Sequence, residues 1–168
     1  MAILEPLVTS AAGALFATAG VVVGGAVTRK AQDRQWLRDK QLAAYDELLT
    51  QYARFTMVLK RAHVDRSPWQ YDWADWSAAL VSASLVAPSA VAAAIDDFGR
   101  AIDPFLTAVA ARNSVEDPLT DEEFDQASQG PARAQRALVN AIRRSLGKDL
   151  GALNVWMGGA LINPENWP

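Results

Sequence analysis

Cysteine is absent from this chain of 168 residues, and histidine occurs once, as His63. The absence of cysteine excludes disulfides, thiolate nucleophiles and cysteine-ligated zinc. A single histidine cannot supply the two Glu-x-x-His pairs of a di-metal helical bundle, and no G-x-S-x-G sequence accompanies it. We therefore interpret His63 as a surface residue at a helix end. The sequence predicts no catalytic residue, no metal site and no cofactor.

Phosphate-binding loops and a nucleic-acid surface are also missing from the sequence. No glycine-rich turn follows a strand-like pattern, so neither a P-loop nor a dinucleotide fold is indicated. The basic residues are concentrated early: residues 29–62 carry eight Lys and Arg against four Asp and Glu. From residue 63 onward the balance is reversed, with eight basic residues against fourteen acidic ones. Because basic density is low in the later part of the chain, we predict no nucleic-acid partner.

Residues 7–27, LVTSAAGALFATAGVVVGGAV, contain no charged side chain. A helix of this length crosses the roughly 30 Å hydrocarbon layer of a bilayer. One alternative is a buried helix of a soluble protein, since Ala and Gly dominate the segment. A cleaved signal peptide is a second alternative, but the preceding MAILEP lacks the basic residues that such a peptide requires. We predict an uncleaved transmembrane helix and hence the lipid bilayer as a partner.

Small residues in this predicted span follow steps of three and four, which places them along one helix face. The face is formed by Ser10, Gly13, Ala17, Gly20 and Gly24. Gly20 and Gly24 form a G-x-x-x-G pattern, which lets a second helix backbone approach closely in lipid. The abundance of Gly and Ala in membrane helices is the simpler explanation of the same pattern. We take Gly13, Ala17, Gly20 and Gly24 as a candidate helix–helix interface, with a second copy or another membrane protein as its partner.

A cluster of basic residues follows the predicted span, whereas Glu5 is the one charged residue before it. The cluster comprises Arg29, Lys30, Arg34, Arg38 and Lys40. Basic residues next to a span are retained in the cytoplasm, and they suit the anionic inner leaflet. We therefore predict an N-terminus outside, a C-terminal domain in the cytoplasm, and a location in the inner membrane. Residues 29–40 are polar nearly all round and are expected to be solvated.

The remaining sequence predicts an all-α fold, in which the transmembrane helix continues into a cytoplasmic antiparallel bundle of about four helices. We divide the chain into an anchor (1–28), a bundle with a basic stalk (29–149) and an apolar tail rich in Gly and Pro (150–168). Apolar residues recur at helical spacing in three segments. They are Tyr45, Leu48, Tyr52, Phe55 and Leu59, with Leu42 and Leu49 widening the stripe; Val91, Ile95, Phe98, Ile102, Phe105 and Val109; and Ala134, Ala137, Leu138, Ala141, Ile142 and Leu146. Gln51 is assigned to the polar face of the first segment.

Capping residues predict where the helices begin. Ser67 before Pro68 predicts one N-terminus, Ser89 a second, and Thr120 with Glu123 a capping box at a third. The Gly130-Pro131 pair should stop or bend the helix that begins after Thr120, and Gly147 is the expected C-cap of the final helix.

Trp69, Trp73 and Trp76 fall at i, i+4 and i+7 if a helix begins at Pro68, and they would then share one face. This spacing favours core packing or a cap over the end of the bundle. The alternatives are an aromatic face for a ligand or partner, and an aromatic belt at the membrane surface.

Four segments of the chain resemble a group of small actinobacterial-type, membrane-anchored helical proteins of unknown function. They are the apolar span, TRKAQDRQWLRDKQLAAYDELL, SASLVAPSAVAAA and ALVNAIRRSLGKDLG. The resemblance implies an anchored helical bundle and carries over no site residue; the three tryptophans and the tail after residue 150 depart from it. We expect a non-catalytic scaffold or interaction protein that self-associates or binds a protein. A ligand sensor using the tryptophans, or a phage- or toxin-like membrane-active component, is the alternative.

Overall fold

The computed structural model describes the backbone of residues 4–112, 115–147 and 151–154, with side chains from Thr28 onward. These ranges contain four α-helices and no strand, which confirms the predicted all-α class. The helices are α1 (Leu4–Asp65), α2 (Trp73–Val86), α3 (Ser89–Ala111) and α4 (Asp121–Ser145). The chain divides into two compact units, Met1–Lys40 and Gln41–Pro168, and the boundary falls within α1. The predicted boundaries at residues 28 and 149 stay predictions.

α1 is one uninterrupted helix, as expected from the absence of any proline between Leu7 and its end. It ends in a Schellman-type turn, in which the N–H of Ser67 donates to the carbonyl oxygen of Ala62 at 3.0 Å. Arg66, between them in the turn, adopts the left-handed conformation with φ of 50°. Its side chain donates to the carbonyl oxygen of Leu119 at 3.0 Å, which joins the end of α1 to the segment before α4.

The core of the second unit consists of the apolar stripes that the spacing predicts. The five predicted residues of α1 from Tyr45 to Leu59 are all buried, and so are five of the six on α3. Leu42 and Ala137, which the spacing also assigns to apolar faces, are exposed because they lie at the margins of their stripes. Tyr52 and Phe98 pack edge to face, with ring centroids 4.8 Å apart, and Phe105 contacts Phe124 of α4 at 5.8 Å. Burial of these side chains, at about 25 cal/mol per Å² of apolar surface, is the main stabilising contribution to the fold.

The start of α2 differs from the prediction. The helix begins at Trp73 and not at Pro68, and its N-cap is Asp72, whose side chain accepts from the N–H of Ala74 at 2.8 Å. Residues 66–72 form a loop in which the Tyr71 hydroxyl donates to the carbonyl oxygen of Gln51 at 2.9 Å. Because this contact fixes the loop on α1, the Ser67-Pro68 signal is not used as a helix start.

Gln51 is buried, which corrects its assignment to the polar face of α1. Its amide nitrogen donates to Glu47 at 2.7 Å, and its amide oxygen lies 3.0 Å from the Tyr71 hydroxyl. Tyr71 and its loop cover this part of α1, so a polar residue is buried with its hydrogen bonds satisfied.

Helices α3 and α4 are continuous through their internal prolines. α3 begins at Ser89 after Pro88, without the side-chain cap predicted for Ser89, and includes Pro104. α4 includes Pro131, so the helix predicted to stop or bend at Gly130 joins the following one. Pro131 is buried on the same face as Phe124 and Leu138, and packing of this face offsets the lost backbone hydrogen bond.

Both ends of α4 are capped as predicted. The Thr120 hydroxyl accepts from the N–H of Glu123 at 3.2 Å, and the Glu123 carboxylate accepts from the N–H of Thr120 at 2.8 Å. Gly147 follows the helix with φ of +69°, a conformation that glycine adopts without strain. Beyond it, Asn140 exchanges two hydrogen bonds with the backbone of Leu153, at 2.9 and 3.2 Å. These hydrogen bonds hold Leu153 on α4, and residues 155–168 lie outside the described residues.

Candidate functional site

The basic segment at residues 28–40 is exposed at every position, as expected for a solvated stretch. At 100° per residue, the half of the helix that carries Trp36 and Leu37 also carries four of the five predicted basic residues. These are Arg29, Lys30, Arg34 and Lys40, and Arg38 lies next to this half. The Lys40 ammonium lies 5.9 Å from the centre of the Trp36 ring, within range of a cation–π contact. Asp33 lies in the same half, so the exposed aromatic and aliphatic side chains are flanked by four basic residues and one acidic residue.

The candidate membrane interface lies in a part of α1 where the structure describes the backbone alone. Gly13, Ala17, Gly20 and Gly24 are helical, and their side-chain environments lie outside the described residues. Where side chains are described, no helix combines the length and the apolar character needed to cross a bilayer. The predicted span at residues 7–27 is outside that part of the chain.

The three tryptophans do not share a helix face, because α2 begins at Trp73 and leaves Trp69 in the preceding loop. Trp69 and Trp73 still meet edge to face, with centroids 6.3 Å apart and planes at 75°. Trp73 is 40% exposed and also packs on Phe55 at 5.7 Å. These two rings therefore lie, partly exposed, at the border of the aromatic core. We call Trp69 and Trp73 the tryptophan edge.

Trp76 is a core residue, which agrees with the packing interpretation for this position. Its ring centroid lies 6.2 Å from those of Tyr52 and Phe55 and 6.1 Å from that of Phe98. Burial raises the pKa of the Tyr52 phenol well above its usual range, consistent with this dry surrounding. The use of all three tryptophans as a ligand or partner face stays a prediction.

His63 is not the surface residue that its position near a helix end suggested. Its side chain is only 10% exposed and stacks on Phe124, with centroids 4.4 Å apart. Its Nε2 lies 2.8 Å from a carboxylate oxygen of Asp121 in the first turn of α4. His63 continues the buried stripe of α1 four residues after Leu59, and that spacing was the available signal for its burial.

An arginine-centred cluster lies beside this contact. Arg112 at the end of α3 contacts Asp117 at 2.7 Å and Glu123 at 3.5 Å, and it donates to the carbonyl oxygen of Pro118. Hydrogen bonds from the backbone and hydroxyl of Thr120, with the Arg112 charge, lower the pKa of Glu123. The cavity between this cluster and His63 has room for roughly one water molecule. The contacts hold the loop before α4 in place, and the cavity is too small for a metabolite.

A surface that the spacing rules did not identify is the outer face of α2. Val81 is 58% exposed and Leu85 is 80% exposed, while Trp76, Ala79 and Ala83 are buried on the opposite side. The exposed side of α2 therefore mixes these two large apolar side chains with Ser77, Ser82 and Ser84. Periodicity could not reveal the exposed pair, because no continuous polar stripe marks the outer side of α2.

Among the described residues, no three His, Asp or Glu side chains converge as metal ligands would. Comparison of the chain with models of protein families, curated protein sequences and solved structures finds no match. The exposed features of this chain that could contact a partner are the basic segment at 28–40, the tryptophan edge and the outer face of α2.

Proposed function

We propose that this protein is a non-catalytic, membrane-anchored helical scaffold that self-associates at the cytoplasmic face of the inner membrane. In this proposal residues 7–27 form the anchor, and the basic segment that follows it on α1 lies next to the lipid headgroups. The bundle from residue 41 onward presents its surfaces to partners. The same arrangement is what the resemblance to small anchored helical proteins implies.

The observation that carries the proposal is the exposed basic segment, placed directly after a charge-free stretch of membrane-spanning length. Lys and Arg near an anionic leaflet each contribute about 1 kcal/mol of attraction. Trp36 and Leu37, exposed among these charges, suit the interfacial layer, where an amphipathic ring contacts both acyl chains and headgroups.

The proposed orientation is tested by protease protection of the full chain expressed in a Gram-negative bacterium. The bundle should resist protease added to spheroplasts and be digested in inverted inner-membrane vesicles. Replacement of the five basic residues by Gln should mix the two orientations, because the positive-inside bias is removed. Matched replacement of five later basic residues by Gln should leave orientation unchanged; these are Arg61, Arg100, Arg133, Arg136 and Arg144. Digestion of the wild-type bundle in intact spheroplasts would overturn the proposed location.

Self-association in lipid is tested separately, by crosslinking in native membranes. Gly20→Leu or Gly24→Leu would place a bulky side chain in the close contact and should abolish the crosslinked dimer. Val22→Leu, on the opposite side of the helix from Gly20 and Gly24, is the matched control and should leave the dimer intact. If dimers persist undiminished in both glycine variants, this face is not the interface.

A further inference from the structure

A shallow groove runs between the outer side of α1 and the chain that leads into α2. Its α1 side extends from Thr50 to Val58, about 12 Å along the helix axis. Its opposite side is formed by Tyr71, Asp72 and Asp75. The groove has a volume of about 650 Å³ and is open to solvent, a size that suits a small molecule. We call it the Tyr71 groove.

The floor of the Tyr71 groove is polar, although it is formed by a buried residue. Gln51 lines the groove and is only 4% exposed. One hydrogen of its amide is donated to Glu47 at 2.7 Å, and no residue that the structure describes accepts the second. The Tyr71 hydroxyl has one hydrogen for the two Gln51 oxygens at 2.9 and 3.0 Å, so its own lone pairs stay available to a donor. Because buried polar groups are normally satisfied, this unused capacity favours a bound polar molecule.

Apolar side chains stand beside this polar floor. Met57 is 64% exposed and lines the groove next to the half-buried Tyr71. The Tyr71 ring packs edge to face on Phe55 at 5.2 Å and on Trp73 at 5.4 Å, which fixes its position. The flexible Met57 thioether, by contrast, can adapt to what lies against it. A fixed aromatic ring beside an adaptable methionine favours a ligand with an apolar side chain.

Charges of both signs line the rim of the groove. Arg54 lies on the α1 side, and Asp72 and Asp75 lie on the other. Arg54 and Asp75 are exposed and form no ion pair with each other. Burial raises the pKa of the Tyr71 phenol; the Arg54 charge opposes this rise, and the two aspartates add to it. All three charges therefore act at one hydroxyl, an arrangement that is complementary to a ligand carrying both signs.

We propose that the Tyr71 groove binds a free α-amino acid with an apolar side chain. The carboxylate of the amino acid pairs with the Arg54 guanidinium, and its ammonium donates to Asp75 and to the Tyr71 hydroxyl. Its side chain lies on Met57. A ligand with a single charge fits less well, because Arg54 repels a cation and the two aspartates repel an anion. The inference goes beyond the scaffold function and does not depend on the membrane anchor.

The openness of the groove limits the strength of this binding. Tight small-molecule sites enclose most of their ligand, whereas the charged groups of the Tyr71 groove are exposed to water that screens them. We therefore expect a dissociation constant on the order of 1 mM. An amino acid would be bound in proportion to its concentration in the millimolar range.

Blocked amino acids test the requirement for both charges. Full-length protein in deuterated detergent micelles is titrated with L-leucine and with L-phenylalanine up to about 10 mM, ten times the expected dissociation constant. Binding is followed by saturation-transfer NMR of the amino acid. Leucine methyl ester, which lacks the carboxylate, and N-acetyl-leucine, which lacks the ammonium, should each bind at least tenfold more weakly than leucine. Absence of binding by both free amino acids, or equal binding of leucine and its two blocked forms, would overturn the proposal.

Variants assign each charge of the amino acid to its partner. Arg54→Gln should weaken leucine binding at least fivefold and remove the preference for leucine over its methyl ester. Asp75→Asn should weaken binding similarly and remove the preference over N-acetyl-leucine. Arg133→Gln and Asp103→Asn, at exposed positions outside the groove, are the matched controls and should bind leucine as the wild type does.

Melting temperatures of the four variants separate lost binding from lost folding, since surface substitutions of this kind change stability little. Unchanged melting temperatures with binding lost only in the two groove variants are the expected result. Wild-type affinity for leucine in either Arg54→Gln or Asp75→Asn would contradict the proposed pairing.

Discussion

The Tyr71 hydroxyl donates to the backbone carbonyl of Gln51, 20 residues earlier, at 2.9 Å. The same hydroxyl lies 3.0 Å from the amide oxygen of Gln51, so one side chain covers a buried polar position on α1. This contact fixes the loop at residues 66–72 on the bundle. It also sets the start of α2, because the chain leaves the loop at Asp72 with its side chain already capping the helix.

Tyr71→Phe should destabilise the fold by about 1 kcal/mol, because it removes the donor that satisfies the Gln51 oxygens. Tyr45→Phe is the matched control: the Tyr45 hydroxyl is buried and has no hydrogen-bond partner within the described residues. Its removal should leave the free energy of unfolding unchanged or raise it. Urea denaturation followed by tryptophan fluorescence measures both values. A larger loss in Tyr45→Phe than in Tyr71→Phe would show that the hydrogen bond does not hold the loop.

Thr120→Ala should cost about 1 kcal/mol, since it removes the hydroxyl that caps the first turn of α4. Thr107→Ala, at an exposed position within α3, is the matched control. This substitution should leave the melting temperature unchanged or raise it slightly. Thermal unfolding monitored by circular dichroism compares the two variants. Equal melting temperatures for Thr120→Ala and the wild type would refute the stabilising role of the capping box.

The same capping box predicts that the free energy of unfolding falls at acid pH. Because the pKa of Glu123 is lowered from its ordinary 4.5, the folded carboxylate stays ionised where the unfolded one already binds a proton. Its stabilising contribution is complete above about pH 4.5 and is lost as the pH falls further. Glu123→Gln should therefore flatten the dependence of unfolding free energy on pH between about 5 and 3. Glu122→Gln is the neighbouring control. A steeper fall of the unfolding free energy with decreasing pH in Glu123→Gln than in the wild type would contradict this assignment.

Glycines inside helices and at helix ends should respond oppositely to alanine. Gly99→Ala in α3 meets no atom within 4 Å and should stabilise the protein by about 1 kcal/mol. Gly147→Ala should destabilise by about 1 kcal/mol, because the added Cβ is strained at a φ of +69°. Chemical denaturation of the two variants gives both signs in one experiment. Destabilisation by Gly99→Ala would show that α3 is not continuous at this position.

The two faces of α2 should respond differently to the same enlargement. Ala83→Leu adds three carbons at a fully buried position and should cost about 1–3 kcal/mol through overpacking. Ala78→Leu makes the same change on the exposed side and should alter the free energy of unfolding by less than about 0.5 kcal/mol. Unfolding curves on dilute protein measure both. A similar penalty at the two positions would mean that the outer face is covered within a single chain.

The core of this fold could be predicted from the sequence because its helices are long and their apolar stripes are regular. The positions from Tyr45 to Leu59 and from Val91 to Phe105 repeat at three and four residues, and each stripe has a polar reverse. The Thr120–Glu123 capping box was predictable for a different reason, since both hydrogen bonds lie within one turn. Local patterns of this kind require no knowledge of the rest of the chain.

The features that escaped prediction depend on contacts between distant segments. The Ser67-Pro68 signal is overridden by Tyr71 on Gln51, and the Gly130-Pro131 break is overridden by packing of Pro131 in the core. His63 was assigned to the surface because neither Phe124 nor Asp121 is near it in sequence. The exposure of Val81 and Leu85 on α2 was missed because serines and apolar residues alternate irregularly along this helix and do not mark which side faces the core.

Alkaline carbonate extraction of membranes from cells expressing the full chain tests whether residues 7–27 anchor this protein. We predict that the wild-type chain stays in the membrane pellet and is released by detergent alone. A variant with Val22→Lys and Ala17→Lys should appear in the supernatant, because two charges at the centre of the span oppose insertion. A wild-type chain recovered in the supernatant without detergent would contradict the anchor, and with it the proposed location at the membrane.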